Sequence, residues 1–151
     1  MRIISDLAEL KSLVGQELAI SDWLAVEQER VNQFAEATGD HQWIHLDVVR
    51  SQQESPFGGT IAHGFLSLSL IPMLLEQCIS MRDVKMALNY GLNKVRFPSP
   101  LLVGRRVRGH ISVLSVEDIK DGAQVVWQVT LEAEGAEKPV CVAELITRRY
   151  P

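Results

Sequence analysis

The chain has 151 residues, and its 46% hydrophobic and 23% charged content is that of a compact globular protein rather than a disordered, collagen-like or coiled-coil one. Its length suits one domain, residues 1–151, and is short for two. Fifteen Lys and Arg against nineteen Asp and Glu give a net charge of -4, without the basic excess that draws nucleic acid phosphates, so no nucleic acid partner is expected.

Leu7, Leu10, Leu13 and Val14 fall at helical spacing, Gly15 ends that run, a short extended piece follows at Glu17 to Ile20, and Ser21 or Asp22 marks a turn. Val26, Arg30, Val31, Phe34, Ala35 and Thr38 predict a second helix, which Gly39 is placed to close. The segment from Asp47 to Gly59 mixes polar residues with Ser55-Pro56-Phe57-Gly58-Gly59 and reads as an irregular connection. It leads into an apolar helix that begins around Ala62 to Gly64 and is expected to be the most buried element. After Met81 the period changes to two, and strands are predicted at about Val84 to Phe97, Arg105 to Glu117, Ala123 to Glu134 and Pro139 to Arg149. Turn signals separate them at Pro98 to Pro100, Lys120-Asp121-Gly122 and Gly135 to Lys138. Helices first and long antiparallel strands afterwards make an α+β domain, with the apolar helix as the partner of the sheet's buried face.

Ser55 to Leu75 carries no Asp, Glu, Lys or Arg, but His63, three glycines and two prolines interrupt it. Its apolar part, Phe65 to Leu75, is about half the ~20 residues a membrane helix needs, so no membrane span is expected. Cys78 and Cys141 are too few for a disulfide framework and lack CxxC spacing, and no secretory apolar block follows Met1, which makes a cytoplasmic location the default expectation.

The densest polar constellation is Gly39-Asp40-His41-Gln42-Trp43-Ile44-His45-Leu46-Asp47, followed by His63-Gly64. On one continuous helix Asp40 and His45 would lie about 140° apart, so they can face one cavity only across a turn, with Trp43 and Ile44 packing down between them. A carboxylate and an imidazole so placed form an acid/base pair. The alternatives are a turn-capping Asp40 with a hydrogen-bonded, partly buried His45, or a metal site using His41 and His45, although no HExxH or cysteine pair accompanies them. Gly64 opens the apolar helix, where a free N–H favours a developing oxyanion; equally, glycine there could serve only close helix–strand packing. Lys94, Arg96, Arg105, Arg106 and Arg108 form a local basic cluster that suits the phosphates of a nucleotide-bearing substrate or an acidic carrier protein, or is simply a solvated strand face. Ser67 and Ser69 lack a GxSxG context and read as small helix positions.

The run Phe34-Ala35-Glu36-Ala37-Thr38-Gly39-Asp40-His41-Gln42-Trp43-Ile44-His45, with Ser55-Pro56-Phe57-Gly58-Gly59-Thr60-Ile61-Ala62-His63-Gly64, resembles the MaoC-like dehydratases, the hotdog-fold family that contains the (R)-specific enoyl-CoA hydratases. Asn89 to Pro98 and Lys138 to Glu144 are similar to its nodulation-protein-N-like branch. The resemblance implies a long central helix wrapped by a curved antiparallel sheet and a homodimer with substrate tunnels near the subunit interface. It implies that Asp40 and His45 are catalytic and that the Gly64 N–H binds the thioester carbonyl. Gln42, His63, Asn93 and Arg96 are the expected substrate-binding residues around them. The implied reaction is reversible hydration of a trans-2-enoyl thioester, on CoA or acyl carrier protein, without metal or cofactor. A noncatalytic acyl-thioester-binding subunit and an acyl-CoA thioesterase are the alternatives on the same fold. Gln42 stands where the hydratase motif usually has Asn, and Trp43 where it usually has Pro; both changes alter the loop and pocket wall and leave the acid and base in place.

Overall fold

Strict alternation of buried and half-exposed residues builds the two central strands, Gly122–Ala133 and Cys141–Tyr150, because successive strand side chains point to opposite faces. A computed structural model describes all residues from Met1 to Pro151. In chain order the elements are β1 (Arg2–Ile4), α1 (Leu7–Ser12), β2 (Glu17–Ile20), β3 (Leu24–Ala25), α2 (Gln28–Thr38), α3 (Trp43–Leu46), α4 (Val48–Glu54), α5 (Gly64–Cys78), β4 (Ile79–Met81), β5 (Met86–Arg96), β6 (Arg106–Ile119), β7 (Gly122–Ala133) and β8 (Cys141–Tyr150). The main sheet runs β2-β6-β7-β8-β5 and is antiparallel, with β3 also pairing β6; β1 and β4 form a separate parallel pair. The four predicted strands are present with ends within two residues of expectation.

On β7 the buried set is Ala123, Val125, Trp127, Val129, Leu131 and Ala133, and on β8 it is Cys141, Ala143, Leu145, Thr147 and Arg149. Leu66, Leu70, Ile71, Leu74 and Leu75 of α5 join Val125 to Ala133 of the β7 set and Cys141, Ala143 and Leu145 of the β8 set in one apolar core, so the helix lies across the inner face of the sheet. The approach is close at Gly109 of β6, where a Cβ would sit 3.6 Å from Leu74 Cδ1. This is the hotdog arrangement, an α+β fold in which a central helix is wrapped by an antiparallel sheet. Arg149 is buried with its guanidinium 5.0 Å from the Trp127 ring centroid, and burial pulls it down to about 10. No helix is long and apolar enough to cross a membrane.

Two expectations are corrected. The first quarter is less helical than expected: besides the predicted extended piece, which is β2, it holds β1 and β3, and all three pair with later strands. The segment from Asp47 to Gly59 is not irregular throughout, because α4 occupies Val48–Glu54. Local bonds make that helix: Asp47 caps it by accepting from the Arg50 N–H at 2.9 Å, and Arg50 pairs with Glu54 one turn on at 2.9 Å. Only from Ser55 does the chain turn irregularly.

The sheet's edge strand β5 is exposed along most of its length, including Met86, Leu88, Tyr90 and Leu92, and Phe65 beside Phe97 is 67% exposed.

Within the core, the Trp127 indole N–H donates to Thr147 Oγ1 at 2.9 Å, and both groups are buried. Thr147→Val keeps the shape and strands that donor, so stability measured by urea unfolding should drop by about 1–3 kcal/mol.

Candidate active site

An extended segment, Thr60 to Ala62, organises the site. On one edge it is held to the 101–103 segment, through Ala62 N–H to Leu101 O at 2.8 Å and Val103 N–H to Thr60 O at 3.0 Å. On the other edge the Ile61 N–H donates to Ile44 O at 3.0 Å, and the Ile61 carbonyl accepts from His45 Nδ1 at 2.7 Å. A carbonyl can only accept, so Nδ1 carries the proton and the Nε2 lone pair of His45 is left for chemistry.

Gly39 closes α2 in the left-handed region at φ 82°, which turns the chain into Asp40 and then into the single turn of α3. Asp40 Oδ1 accepts from the Gln42 N–H at 3.3 Å, while the carboxylate stays half-exposed. Trp43 and Ile44 do not pack down as the buried pair. They are half-exposed, with the Arg50 guanidinium 4.1 Å above the Trp43 ring, and His45 is the buried residue at 6% exposure. The inversion follows from Ile61, whose two backbone groups draw the His45 side of the turn inward.

His63 is also buried and donates from Nε2 to the Asp40 carbonyl at 3.0 Å. Its ring stacks on that of His45 with centroids 3.8 Å apart and planes inclined by 23°, and its Nδ1 is buried without a partner. Polar atoms of Asp40, His45 and His63 therefore lie within 4.8 Å of one another. Near-parallel rings send their in-plane lone pairs side by side rather than toward one point, a poor shape for tetrahedral metal coordination. His41 is not part of the group; it is exposed and paired with Glu36 at 2.8 Å, so the His41–His45 metal alternative is not realised.

Gly64 begins α5 one residue after His63, and neither the Gly64 nor the Phe65 N–H finds a partner in the chain. A Cβ at Gly64 would meet Phe97 ring carbons at 2.9–3.1 Å, so the position also serves close packing against the end of β5. The two sequence readings of Gly64 are compatible. Gln42, Asn93 and Arg96 are exposed; Asn93 lies at the register irregularity of β5, and Arg96 donates to its own neighbour's carbonyl, that of Val95, at 2.7 Å. Neither Asn93 nor Arg96 bonds to the Asp40–His45–His63 group.

Most of the basic cluster has partners across the sheet. Arg106 pairs with Glu134, Arg108 pairs with Glu132 at 2.8 Å, and Arg105 donates to the Glu134 carbonyl at 3.3 Å. Arg106 and Arg108 thus follow the solvated-strand-face alternative, while Lys94, Arg96 and Arg105 have no carboxylate in a salt bridge. Cys78 and Cys141 are buried free thiols, and burial pushes Cys141 up to about 11.

Sequence reading missed Gln28, Thr60 and the Ile61 carbonyl. Gln28 Nε2 donates to the His45 carbonyl at 2.7 Å, and its Oε1 accepts from Thr60 Oγ1 at 2.7 Å. A polar residue at the head of an amphipathic helix was the only visible signal.

The MaoC-like domain family model matches residues 9–135. Over 149 residues the chain is 51% identical to 3-hydroxyacyl-thioester dehydratase Z of Mycobacterium tuberculosis, covering 98% of each. Over 144 residues it is 46% identical to nodulation protein N of Rhizobium leguminosarum bv. viciae, covering 93% of this chain and 89% of that one. Among solved structures, the unliganded R-hydratase PhaJ1 of Pseudomonas aeruginosa superimposes with a TM-score of 0.72 at 25% identity, covering 95% of this chain and 84% of that one.

Burial is the main cause that holds the His45 imidazole below the ordinary histidine value, reinforced by His63 and opposed by the Ile61 carbonyl and Asp40. His41 moves the other way, raised chiefly by its hydrogen bond to Glu36. In an NMR titration His45 should therefore titrate below about 6.5 and His41 above it. As pH falls below about 6.5 the unfolded chain takes up a proton at this position before the folded one does, so His45 favours folding fully above that pH and progressively less below it.

Proposed function

Because the chain belongs to the MaoC-like domain family, we propose that it is a hydro-lyase acting on 3-hydroxyacyl thioesters: it adds water reversibly across the double bond of a trans-2-enoyl thioester, giving the (R)-3-hydroxyacyl thioester. The thiol carrier is CoA or acyl carrier protein, and the whole chain acts as one MaoC-like domain. The observation that carries the reading is the pairing of Asp40 with an Nδ1-protonated His45 beside the free N–H groups that open α5.

Hydration moves one proton and one hydroxyl and changes no oxidation state, so the proposed reaction needs no cofactor. Water sits between the Asp40 carboxylate and His45 Nε2. The carboxylate and the imidazole protonated at Nδ1 each offer a lone pair to that water. The proton lifted from water as its oxygen bonds to C3 is therefore held by the pair and is available for delivery to C2. As the C2–C3 double bond is consumed, charge builds on the thioester oxygen. The Gly64 N–H at the positive end of the fifteen-residue α5 stabilises that charge. Because the charge is greater in the transition state than in the substrate, this contact accelerates the reaction rather than merely binding.

A second copy of the chain is the proposed cover for the exposed apolar residues of β5, Phe65 and Phe97, which would enclose the substrate channel at the head of α5. Lys94 and Arg96, free of carboxylates, are the proposed contacts for substrate phosphates, with Gln42, His63 and Asn93 as the remaining substrate-binding positions.

With a short trans-2-enoyl-CoA, the protein should bleach the conjugated-enoyl absorbance without releasing thiol. Asp40→Asn and His45→Gln should each slow turnover by roughly 10²- to 10⁴-fold while remaining folded. In the same assay Arg96→Gln should raise KM, whereas Arg106→Gln, already paired with Glu134, should leave it unchanged. Thiol release would indicate a thioesterase, and wild-type turnover in both acid/base variants would remove the assignment.

A further inference from the structure

We infer that Gln28 is a positioning residue for His45, with Thr60 as its anchor; the inference deepens the hydration reading and rests on it. The Gln28 side chain joins two segments, Thr60 and His45, that lie 32 and 17 residues away along the chain.

The orientation of the amide is fixed by chemistry. The His45 carbonyl can only accept, so the NH₂ group of Gln28 faces it at 2.7 Å and reaches Asn32 Oδ1 at 2.9 Å. The amide oxygen then faces Thr60, whose hydroxyl donates at 2.7 Å. Thr60 is 6% exposed and is held through its own carbonyl by the Val103 N–H at 3.0 Å, so the anchor is tied to the rigid side of the site.

His45 needs this support because α3 is a single turn of four residues, and one helical turn has too few internal bonds to hold its own shape. Besides the stack of the ring on His63 and a long bond from Ser51 Oγ to Trp43 O at 3.5 Å, three hydrogen bonds tie it to other elements: Ile44 O to the Ile61 N–H, His45 Nδ1 to Ile61 O, and His45 O to Gln28. The two bonds to Ile61 fix the turn and the ring tautomer; the bond to Gln28 fixes the peptide that carries the imidazole. Removing it frees that peptide to rotate, which loosens the Nδ1 bond to Ile61 O that selects the tautomer and shifts Nε2 relative to Asp40. Gln28 bonds to neither Asp40 nor the head of α5, so its loss acts through His45 rather than through substrate binding.

The test compares Gln28→Met, Thr60→Val and Thr60→Ser with wild type, reading hydration kinetics of a trans-2-enoyl-CoA and the His45 ring tautomer by long-range ¹H–¹⁵N NMR. Gln28→Met and Thr60→Val should lower kcat roughly 10- to 100-fold, with KM within about twofold, because a displaced catalytic group costs rate rather than affinity. Their His45 should report a mixture of tautomers where wild type reports Nδ1–H alone, and Thr60→Ser, which keeps the hydroxyl, should recover both rate and single tautomer. Wild-type kcat and a single tautomer in Gln28→Met would overturn the inference. If Gln28→Met does not fold, the Thr60 pair decides by the same criteria. If wild type hydrates no enoyl thioester, the reaction reading fails, and the tautomer spectra still decide the role of Gln28: mixed in Gln28→Met upholds it, single overturns it.

Discussion

Both backbone groups of Ile61 are committed to the α3 turn, the N–H to Ile44 and the carbonyl to His45 Nδ1, and the candidate chemistry depends on that commitment. It chooses the tautomer of His45, buries the ring, and leaves Nε2 without a proton in a residue grouped with Asp40 and His63. It also explains why a four-residue helix can hold a functional group at all, since the segment it leans on is itself stitched to residues 101–103. His63 completes the arrangement from the opposite direction by holding the Asp40 carbonyl while stacking on His45, so the carboxylate and the imidazole are referenced to one buried ring.

The sheet and central helix supply the rigid background. Apolar alternation along β7 and β8 fixes one face, α5 covers it, and the head of α5 emerges at His63-Gly64 with two N–H groups unspent. Phe97 against Gly64 sets that head beside the residue that follows the edge strand β5. The candidate acid/base pair and the helix terminus are thus supplied by different parts of the chain, one by a tight turn after α2 and the other by the core helix itself. Bringing a proton acceptor and a charge-stabilising terminus to one place suits a reaction whose transition state spreads charge from a C3-bound oxygen to a thioester carbonyl.

Much of this was legible in residues alone. Strands β6, β7 and β8 show their period of two, α5 its length and apolarity, and Gly39 its role as a stop before Asp40. The composition of the Asp40–His45 turn marked a site, but which residues it buried was not readable, because Trp43 and Ile44 outrank histidine in hydrophobicity and the deciding contact is a backbone carbonyl sixteen residues away. Helix α4 was missed for the opposite reason: its sequence is polar, and a side-chain cap and one ion pair, rather than an apolar face, form it. The basic cluster was visible as a string of charges, yet its neutralisation depends on strand register, which sets Arg108 opposite Glu132. Gln28 shows the limit most clearly, since nothing in a glutamine at a helix start announces a hydrogen bond to a carbonyl on another element.

In the proposed hydration, His45, its imidazole held below the ordinary histidine value by burial, offers Nε2 as the proton acceptor. The pH dependence of kcat/KM for hydration of a trans-2-enoyl-CoA by the wild-type protein tests this most directly. A rate that is level through neutral pH and falls on the acid side along a limb centred below about 6.5 is the predicted result. A limb centred above that value, or a rate that rises as histidine becomes protonated, would contradict it.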